Sequence, residues 1–352
     1  MENNNSWILF GAGDEGKKIA SILKKTLNKV YAFCDNDESK VGTFIGDKTV
    51  ISFDEMCKIY REHKIVISVS QMYEEELIKQ LHNAGIEEYL KLDEAYNSIE
   101  YKSYKELEQF KNIHYGKRCF VIGTGPSLKI SDLEMLKKKG EITFAPNRIF
   151  NIYDETSWRP DYYFVADTKI ICQYYEEILN IKDCDVFINE IEYYEACKNL
   201  DRKRFDKEGF YCFTRCNMWE YEEKLNMALP SFSMDPSKYI VDGATVIYIM
   251  IQWAVYMGFK EIYLLGVDFS YNDMTGLSNE DHFGKKYLRE GEIVNPPNLD
   301  KSGRAYVKSL LISEKGDFKI YNATRGGKLE IFERIDIDDL LNCEEDGIDN
   351  EQ

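Results

Sequence analysis

Gly123-Thr124-Gly125-Pro126-Ser127 lies between an apolar run, Cys119 to Ile122, and an amphipathic stretch, Ile130 to Lys138. That order reads as strand, glycine turn, helix. Glycines let backbone approach a ligand closely, and the free N–H groups of a turn and helix start suit a phosphate or carboxylate. The same turn can also serve packing alone. Further along, Ile142 to Ala145 and Tyr162 to Ala166 read as strands ending at Asn147 and Asp167. In an open parallel sheet, ligands sit outside the carboxyl ends of the strands, so Thr124, Asn147 and Asp167 converge on one crevice. Asn147 both donates and accepts hydrogen bonds, as base or ribose recognition requires. Arg148 can supply charge for a phosphate or pair with a surface acid.

Two later stretches belong to the same crevice. Asp242-Gly243-Ala244 precedes an apolar helix, Val246 to Met257, and Gly266-Val267-Asp268 closes the strand Lys260 to Leu265. The helix presents its N-terminus there, Gly266 permits close approach, and Asp268 can take a hydroxyl hydrogen bond. The region from 200 to 230 is rich in aromatics and charges, and reads either as an acceptor-facing insertion or as sheet edge. Residues 270 to 304 are polar and glycine-rich, the pattern of a binding loop. They hold His282, the only one of four histidines in that loop. A helix from Gly303 to Glu314 and a strand from Lys319 to Asn322 follow.

An earlier glycine motif opens the chain. Trp7 to Phe10 is a strand, Gly11, Gly13 and Gly16 follow in G-x-G-x-x-G spacing, and the next strand, Val30 to Cys34, ends at Asp35. This is the arrangement of a dinucleotide-type site, with Asp35 accepting from a ribose hydroxyl. A docking domain without chemistry is the other reading of the same unit.

The chain has 352 residues, room for two domains, and 44% apolar residues supply a core. The expected organisation is α/β, with two Rossmann-like parallel-sheet domains, the second larger. They span 1–97 and 117–341, joined by a linker at 98–116 and followed by an acidic tail at 342–352. The net charge of −17 argues against nucleic acid and against anionic membrane surfaces. No apolar run reaches eighteen residues, and MENNNSW is not a signal peptide. Nine cysteines without a CxxC pair read as reduced thiols in a cytoplasmic protein. No metal-ligand spacing is evident. A homo-oligomer is compatible with these features.

The blocks VIGTGPSLK, ITFAPNRIF, PDYYFVAD, VDGATVIYIMIQWAVYMGFKEIYLLGVDF, DHFG and IYNATRGGKLEIFERI, in this order, resemble the 6-hydroxymethylpterin diphosphokinase MptE-like family. They are also similar to bacterial sialyltransferases that use CMP-sialic acid and to motility-associated flagellin glycosyltransferases. The resemblance covers about 117–341. It implies that Gly123 to Ser127, Asn147, Asp242 to Ala244 and Gly266 to Asp268 hold the nucleotide, and that His282 is the catalytic base. It places Tyr271, displaced by one position, and Tyr287 near the leaving phosphate. Thr124 stands where the sialyltransferases have an asparagine, and Asp167 falls where they have another. ILFGAGDEG, FCDNDESKVG and VISFDE resemble the N-terminal domain of bacterial sugar and polysaccharide enzymes.

The resemblance therefore implies a glycosyltransferase of surface polysaccharide or glycoconjugate synthesis. It would move a nonulosonic, sialic-type acid from a CMP-activated donor to a glycan acceptor by inverting displacement, without a required cofactor. The alternatives are pyrophosphoryl transfer from ATP with Mg2+, for which Asp167, Asp242 and Asp268 are the available carboxylates, and a non-catalytic nucleotide-binding scaffold.

Overall fold

The computed structural model describes residues 6–23, 26–99, 104–189, 205–216, 229–270, 281–283, 287–288 and 297–342. The chain divides into two compact units, 1–103 and 104–352, each with its own sheet.

In the first unit β1 (Ser6–Phe10) leads through the glycine turn into α1 (Asp14–Leu23). Then follow β2 (Lys29–Cys34), a short hairpin of β3 (Phe44–Ile45) and β4 (Lys48–Ile51), and α2 (Phe53–Ile59). A capping box of Ser52 and Glu55 starts α2, satisfying two backbone donors at the helix end. The unit continues with β5 (Lys64–Ile67), α3 (Gln71–Asn83) and α4 (Leu92–Asn97). The sheet order is β3-β4-β2-β1-β5, with only β3 antiparallel to its neighbour. Ile8, Phe10, Cys34, Ile65 and Ile67 pack against Met56, Leu77 and Leu81.

The second unit begins with α5 (Lys105–Glu108) and β6 (Arg118–Ile122). Residues 112 to 116 donate to the end of a later helix, Asn112 N to the Tyr256 carbonyl at 3.0 Å and His114 N to that of Met257 at 2.9 Å. Next come α6 (Ile130–Lys139), β7 (Ile142–Pro146), β8 (Tyr162–Val165), α7 (Thr168–Gln173) and α8 (Tyr175–Leu179). They lead to β9 (Asp185–Asn189), β10 (Phe210–Phe213), and the two-stranded pair β11 (Arg215–Cys216) and β12 (Ile240–Val241). The remainder is α9 (Val246–Tyr256), β13 (Glu261–Leu265), α10 (Leu299–Lys315), β14 (Lys319–Asn322), β15 (Glu333–Arg334) and α11 (Ile337–Asn342).

The eight-stranded sheet has the order β10-β9-β8-β7-β6-β13-β14-β15, and every neighbouring pair is parallel. From β6 the chain runs outward to β10, then returns to β13 on the other side. The order therefore reverses at β6, where α/β sheets bind ligands. Alternation along β6 feeds both layers: Phe120 and Ile122 pack with Leu133 and Leu136 of α6, Cys119 and Val121 with Trp253 and Met250 of α9.

α9 is apolar on nearly its whole circumference, as a helix buried between layers must be. Its one amide, Gln252, is satisfied on both atoms. Oε1 accepts from Ser233 N at 2.8 Å, and Nε2 donates to the Val241 carbonyl at 2.9 Å, tying β12 to the helix.

The structure differs from the sequence expectations at two points and decides a third. α10 starts at Leu299, before Gly303, because the Asn298 side chain accepts from Lys301 N and caps the helix there. Of the two readings of the aromatic stretch, residues 210 to 213 follow the sheet edge, paired in register with Val186 to Asn189. Cys172 is disulfide-bonded, so the nine cysteines are not all thiols; a pair brought together by folding leaves no local spacing to read. Among the described residues no helix is long and apolar enough to cross a membrane.

Candidate functional site

The glycine turn after β6 is built against the end of β13. Gly123 N donates to the Leu265 carbonyl at 2.7 Å, and Gly125 N to that of Gly266 at 2.9 Å. A Cβ on Gly123 would stand 2.2 Å from the Gly266 oxygen, and one on Gly125 would stand 2.0 Å from Asp268 Oδ2. Neither position has room for a side chain. Asp268 Oδ2 accepts from Ser127 Oγ at 2.8 Å and Ser127 N at 3.4 Å, fastening the start of the next segment. Burial pushes the Asp268 carboxyl up, and the Ser127 bonds oppose this only in part. Thr324 supports the same corner, accepting from Val267 N at 3.0 Å.

The turn opens on a cavity of about 490 Å³ at the carboxyl edge of the sheet. Gly123, Thr124, Gly125, Asn147, Arg148 and Asp167 line it, with Asp242, Ala244, Gly266, Val267, Asp268, His282 and Tyr287. Pro126, Ser127 and Gly243 are not among its lining. Ser127 acts through Asp268, and Gly243 is wedged where a Cβ would meet the Tyr248 ring at 2.5 Å and the Ala305 methyl at 2.7 Å. Tyr271 lies outside the described residues.

Five non-glycine residues in the described chain have positive φ, and three of them line this cavity: Asn147 (53°), Ala244 (56°) and Phe269 (53°). The side chains of alanine and phenylalanine can make no local hydrogen bond there, so the conformation is held by surroundings, a strain that concentrates at functional sites. For Asn147 the Tyr163 hydroxyl holds the carbonyl at 2.6 Å, while Oδ1 is buried without a partner. For Ala244 the holding group is Asp242. Its Oδ1 accepts from Ala244 N at 2.8 Å, and its Oδ2 pairs with Arg215 Nη1 at 3.0 Å. The Thr245 side chain then caps Ile247 N, setting the start of α9 against the cavity.

Arg148 is 3% exposed, its guanidinium 5.0 Å from the Tyr174 ring centre and 5.6 Å from that of Tyr287. Asp167 caps α7, accepting from Lys169 N at 2.8 Å. The His282 ring stacks on Tyr287 at 3.9 Å and 22°. Burial pushes its pKa down, to about 4, against a hydrogen bond to the Thr124 backbone that raises it; Arg148 also lowers it and Asp281 raises it. The imidazole is therefore neutral at pH 7, and its Nε2 is buried without a partner.

Sequence reasoning missed Arg215, Thr245, Phe269 and Tyr306 among the lining residues. Arg215 sits on β11, far along the chain in a stretch with no readable pattern. Phe269 directly follows Gly266-Val267-Asp268, and only its backbone angle marks it.

Three carboxylates that a cation would need are already engaged: Asp268 by Ser127, Asp242 by Arg215 and Ala244, Asp167 by Lys169 N. Among the described residues no three His, Cys, Asp or Glu side chains gather as a metal site. Among the described residues, these three carboxylates do not form a preassembled Mg2+ centre.

In the first unit, Gly11 has φ of 121°, and a Cβ on Gly16 would stand 2.0 Å from the Gly11 oxygen, whereas Gly13 faces open space. Asp35 turns its carboxylate onto the glycine turn itself. Oδ2 accepts from Ala12 N at 2.8 Å and Lys40 Nζ at 3.1 Å, and Oδ1 from Asp37 N at 2.9 Å. Burial pushes the carboxyl up, but these bonds outweigh it and hold the pKa below the ordinary aspartate value.

Comparison with known proteins gives two family matches: residues 3–91 with the C2185-like N-terminal family, and residues 91–274 with the 6-hydroxymethylpterin diphosphokinase MptE-like family. No curated protein matches. Among solved structures, the MAf glycosyltransferase of Magnetospirillum magneticum AMB-1 is similar over 95% of this chain at 12% identity, with a TM-score of 0.40. This chain spans 57% of that protein's length. The sialyltransferase CstII of Campylobacter jejuni is similar over 63% of this chain and 85% of its own, at 18% identity and a TM-score of 0.35. UDP-D-quinovosamine 4-dehydrogenase of Vibrio fischeri is similar over 26% of this chain and 83% of its own, at 24% identity and a TM-score of 0.22. The second family match takes in both the glycine turn and the end of β13, covers just over half of the chain, and places the chain in the MptE-like family.

Proposed function

We propose that the second unit is a glycosyltransferase. It moves a sugar from a nucleotide-activated donor, a CMP-linked nonulosonic acid, to a glycan hydroxyl in the synthesis of a surface polysaccharide or glycoconjugate. The observation that carries this reading is His282, a neutral imidazole at the cavity wall whose Nε2 has no partner. With the ring bonded to the Thr124 backbone, Nε2 is the lone-pair nitrogen and can accept a proton. Nε2 takes the proton of the acceptor hydroxyl. The hydroxyl oxygen bonds to the anomeric carbon from the face opposite the leaving group. The bond from that carbon to the phosphate oxygen breaks, and its electron pair departs with the nucleoside monophosphate. Thr124, Asn147 and Asp268 hold the nucleotide, with the turn glycines giving its backbone room to approach. Arg148 and the N–H groups opening α9 offset charge building on the phosphate.

Membership of the MptE-like family supports a second reading, pyrophosphoryl transfer from Mg-ATP to a hydroxymethylpterin. Against it stand the three carboxylates already engaged within the chain. A thermal-shift panel of CMP-, UDP- and GDP-sugars, NAD, and ATP with and without Mg2+ separates the readings. A bound ligand at a hundredfold excess over its dissociation constant stabilises by about 2.7 kcal/mol. A rise with CMP-sugars that needs no Mg2+ is expected. A rise only with ATP and Mg2+ would overturn the proposal, and CMP-sugar binding without turnover on any glycan acceptor would leave a scaffold.

A further inference from the structure

Tyr287 falls where the sequence comparison suggested a contact to the leaving phosphate, yet its side chain is committed elsewhere. It is 3% exposed. Its hydroxyl oxygen accepts from Thr124 Oγ1 at 3.2 Å, and Arg148 also donates to it. Its carbonyl accepts from Asn151 Nδ2 at 3.1 Å. Its ring lies 3.9 Å from the His282 ring at 22°, and the Phe283 ring meets it at 6.3 Å and 60°. Phe283 N donates to the Thr124 carbonyl at 3.0 Å, so Thr124 holds both ends of this stack through carbonyl and hydroxyl. Thr124 is the position at which the sequence departs from the asparagine of the sialyltransferases.

From this geometry we infer that Tyr287 is a positioning residue for His282: its ring fixes and dries the imidazole, and its hydroxyl anchors that ring to Thr124 rather than to substrate. The inference rests on the glycosyltransferase reading for its kinetic consequence. A stacked ring removes water from one face of the imidazole and fixes its tilt, which directs Nε2. Misplacing a reacting group by about 1 Å costs on the order of 10²-fold in rate. The charged groups facing His282 are Arg148, from the turn after β7, and Asp281, on its own segment; the other titratable group is Tyr287 itself.

The test compares Tyr287→Phe with Tyr287→Leu, measuring donor affinity, transfer rate and its pH profile. Phenylalanine keeps the stack and loses the hydroxyl. It should lower transfer by about tenfold, the cost of loosening a ring that the Thr124 and Arg148 bonds anchor. Leucine loses the stack. It should lower transfer by about 10²-fold, with little change in donor affinity, and shift the acid limb of the profile from about 4 toward the ordinary histidine value. Equal losses in the two variants would overturn the inference and make the hydroxyl a substrate contact. A leucine variant with an unmoved acid limb would overturn it as well. NMR titration of the His282 imidazole in the same variants needs no substrate. If no sugar transfer is found in the native protein, the function reading fails while this titration still decides the positioning role.

Discussion

Gly11 to Gly16 and Gly123 to Ser127 are both strand-to-helix glycine turns, and in each an aspartate carboxylate receives backbone N–H groups of the turn segment. The source of that aspartate differs. In the first unit it is Asp35, at the end of the next strand, and Lys40 neutralises it. In the second it is Asp268, from a strand 141 residues further on, buried and bonded to Ser127. The first turn is thus closed by its own neighbourhood. The groove of about 510 Å³ in that unit is lined by Asn36, Phe53, Glu76, Lys79, Gln80, Asn83 and Ala84, none of them a turn glycine. The second turn needs β13 to exist, and the same long-range closure draws Arg215, Ala244, Phe269 and His282 around one cavity. A local motif specifies a bend; the site comes from what distant segments bring to it.

The largest effect that would separate the two turns is on chemistry. His282→Ala should keep donor affinity and lose about 10²–10⁴-fold in transfer, the usual contribution of a general base; unchanged turnover would remove the base from the account. Next come the glycines. Gly125→Ala and Gly16→Ala each put a Cβ 2.0 Å from a fixed oxygen. Overpacking of this kind costs about 1–3 kcal/mol or more, readable as a fall in melting temperature. Only Gly125→Ala should also abolish nucleotide binding. Gly13→Ala meets nothing within 4 Å and should shift stability by no more than about 0.5 kcal/mol.

Burial lowers the His282 pKa in the folded protein, to about 4. The unfolded chain therefore takes up its proton first as pH falls below the ordinary histidine value. The stabilisation from a neutral His282 is complete above that value and is lost as pH falls through about 4. Melting temperatures followed across that window should fall less steeply in His282→Ala than in the native protein. Asp35→Asn removes a partly exposed ion pair with Lys40 and keeps one oxygen to accept from Ala12 N. It should cost about 1 kcal/mol or less and leave donor affinity untouched, and a lost donor site would move the nucleotide to the first unit.

Strand and helix placement was legible because apolar runs broken by glycine leave few alternatives. Cys119 to Ile122 is buried on both faces, and its neighbours fix the register. The residues around the glycine turn were legible because strand ends in parallel sheets share one edge. What was not legible was held by backbone or by distance. Ala244 and Phe269 carry their strain in φ, which no side chain announces. Arg215 reaches the cavity only because β11 pairs with β12. Asp242 and Asp268 look like ligand or metal carboxylates until their partners, Arg215 and Ser127, are known.

The most direct test of the account is amide hydrogen exchange on the full chain with and without a saturating CMP-sugar. The account predicts added protection at 123–128, 147–148, 242–247 and 266–268, and unchanged exchange at 11–16 and 35–40. Protection appearing at 11–16 and 35–40 instead, with the second turn unaffected, would contradict it.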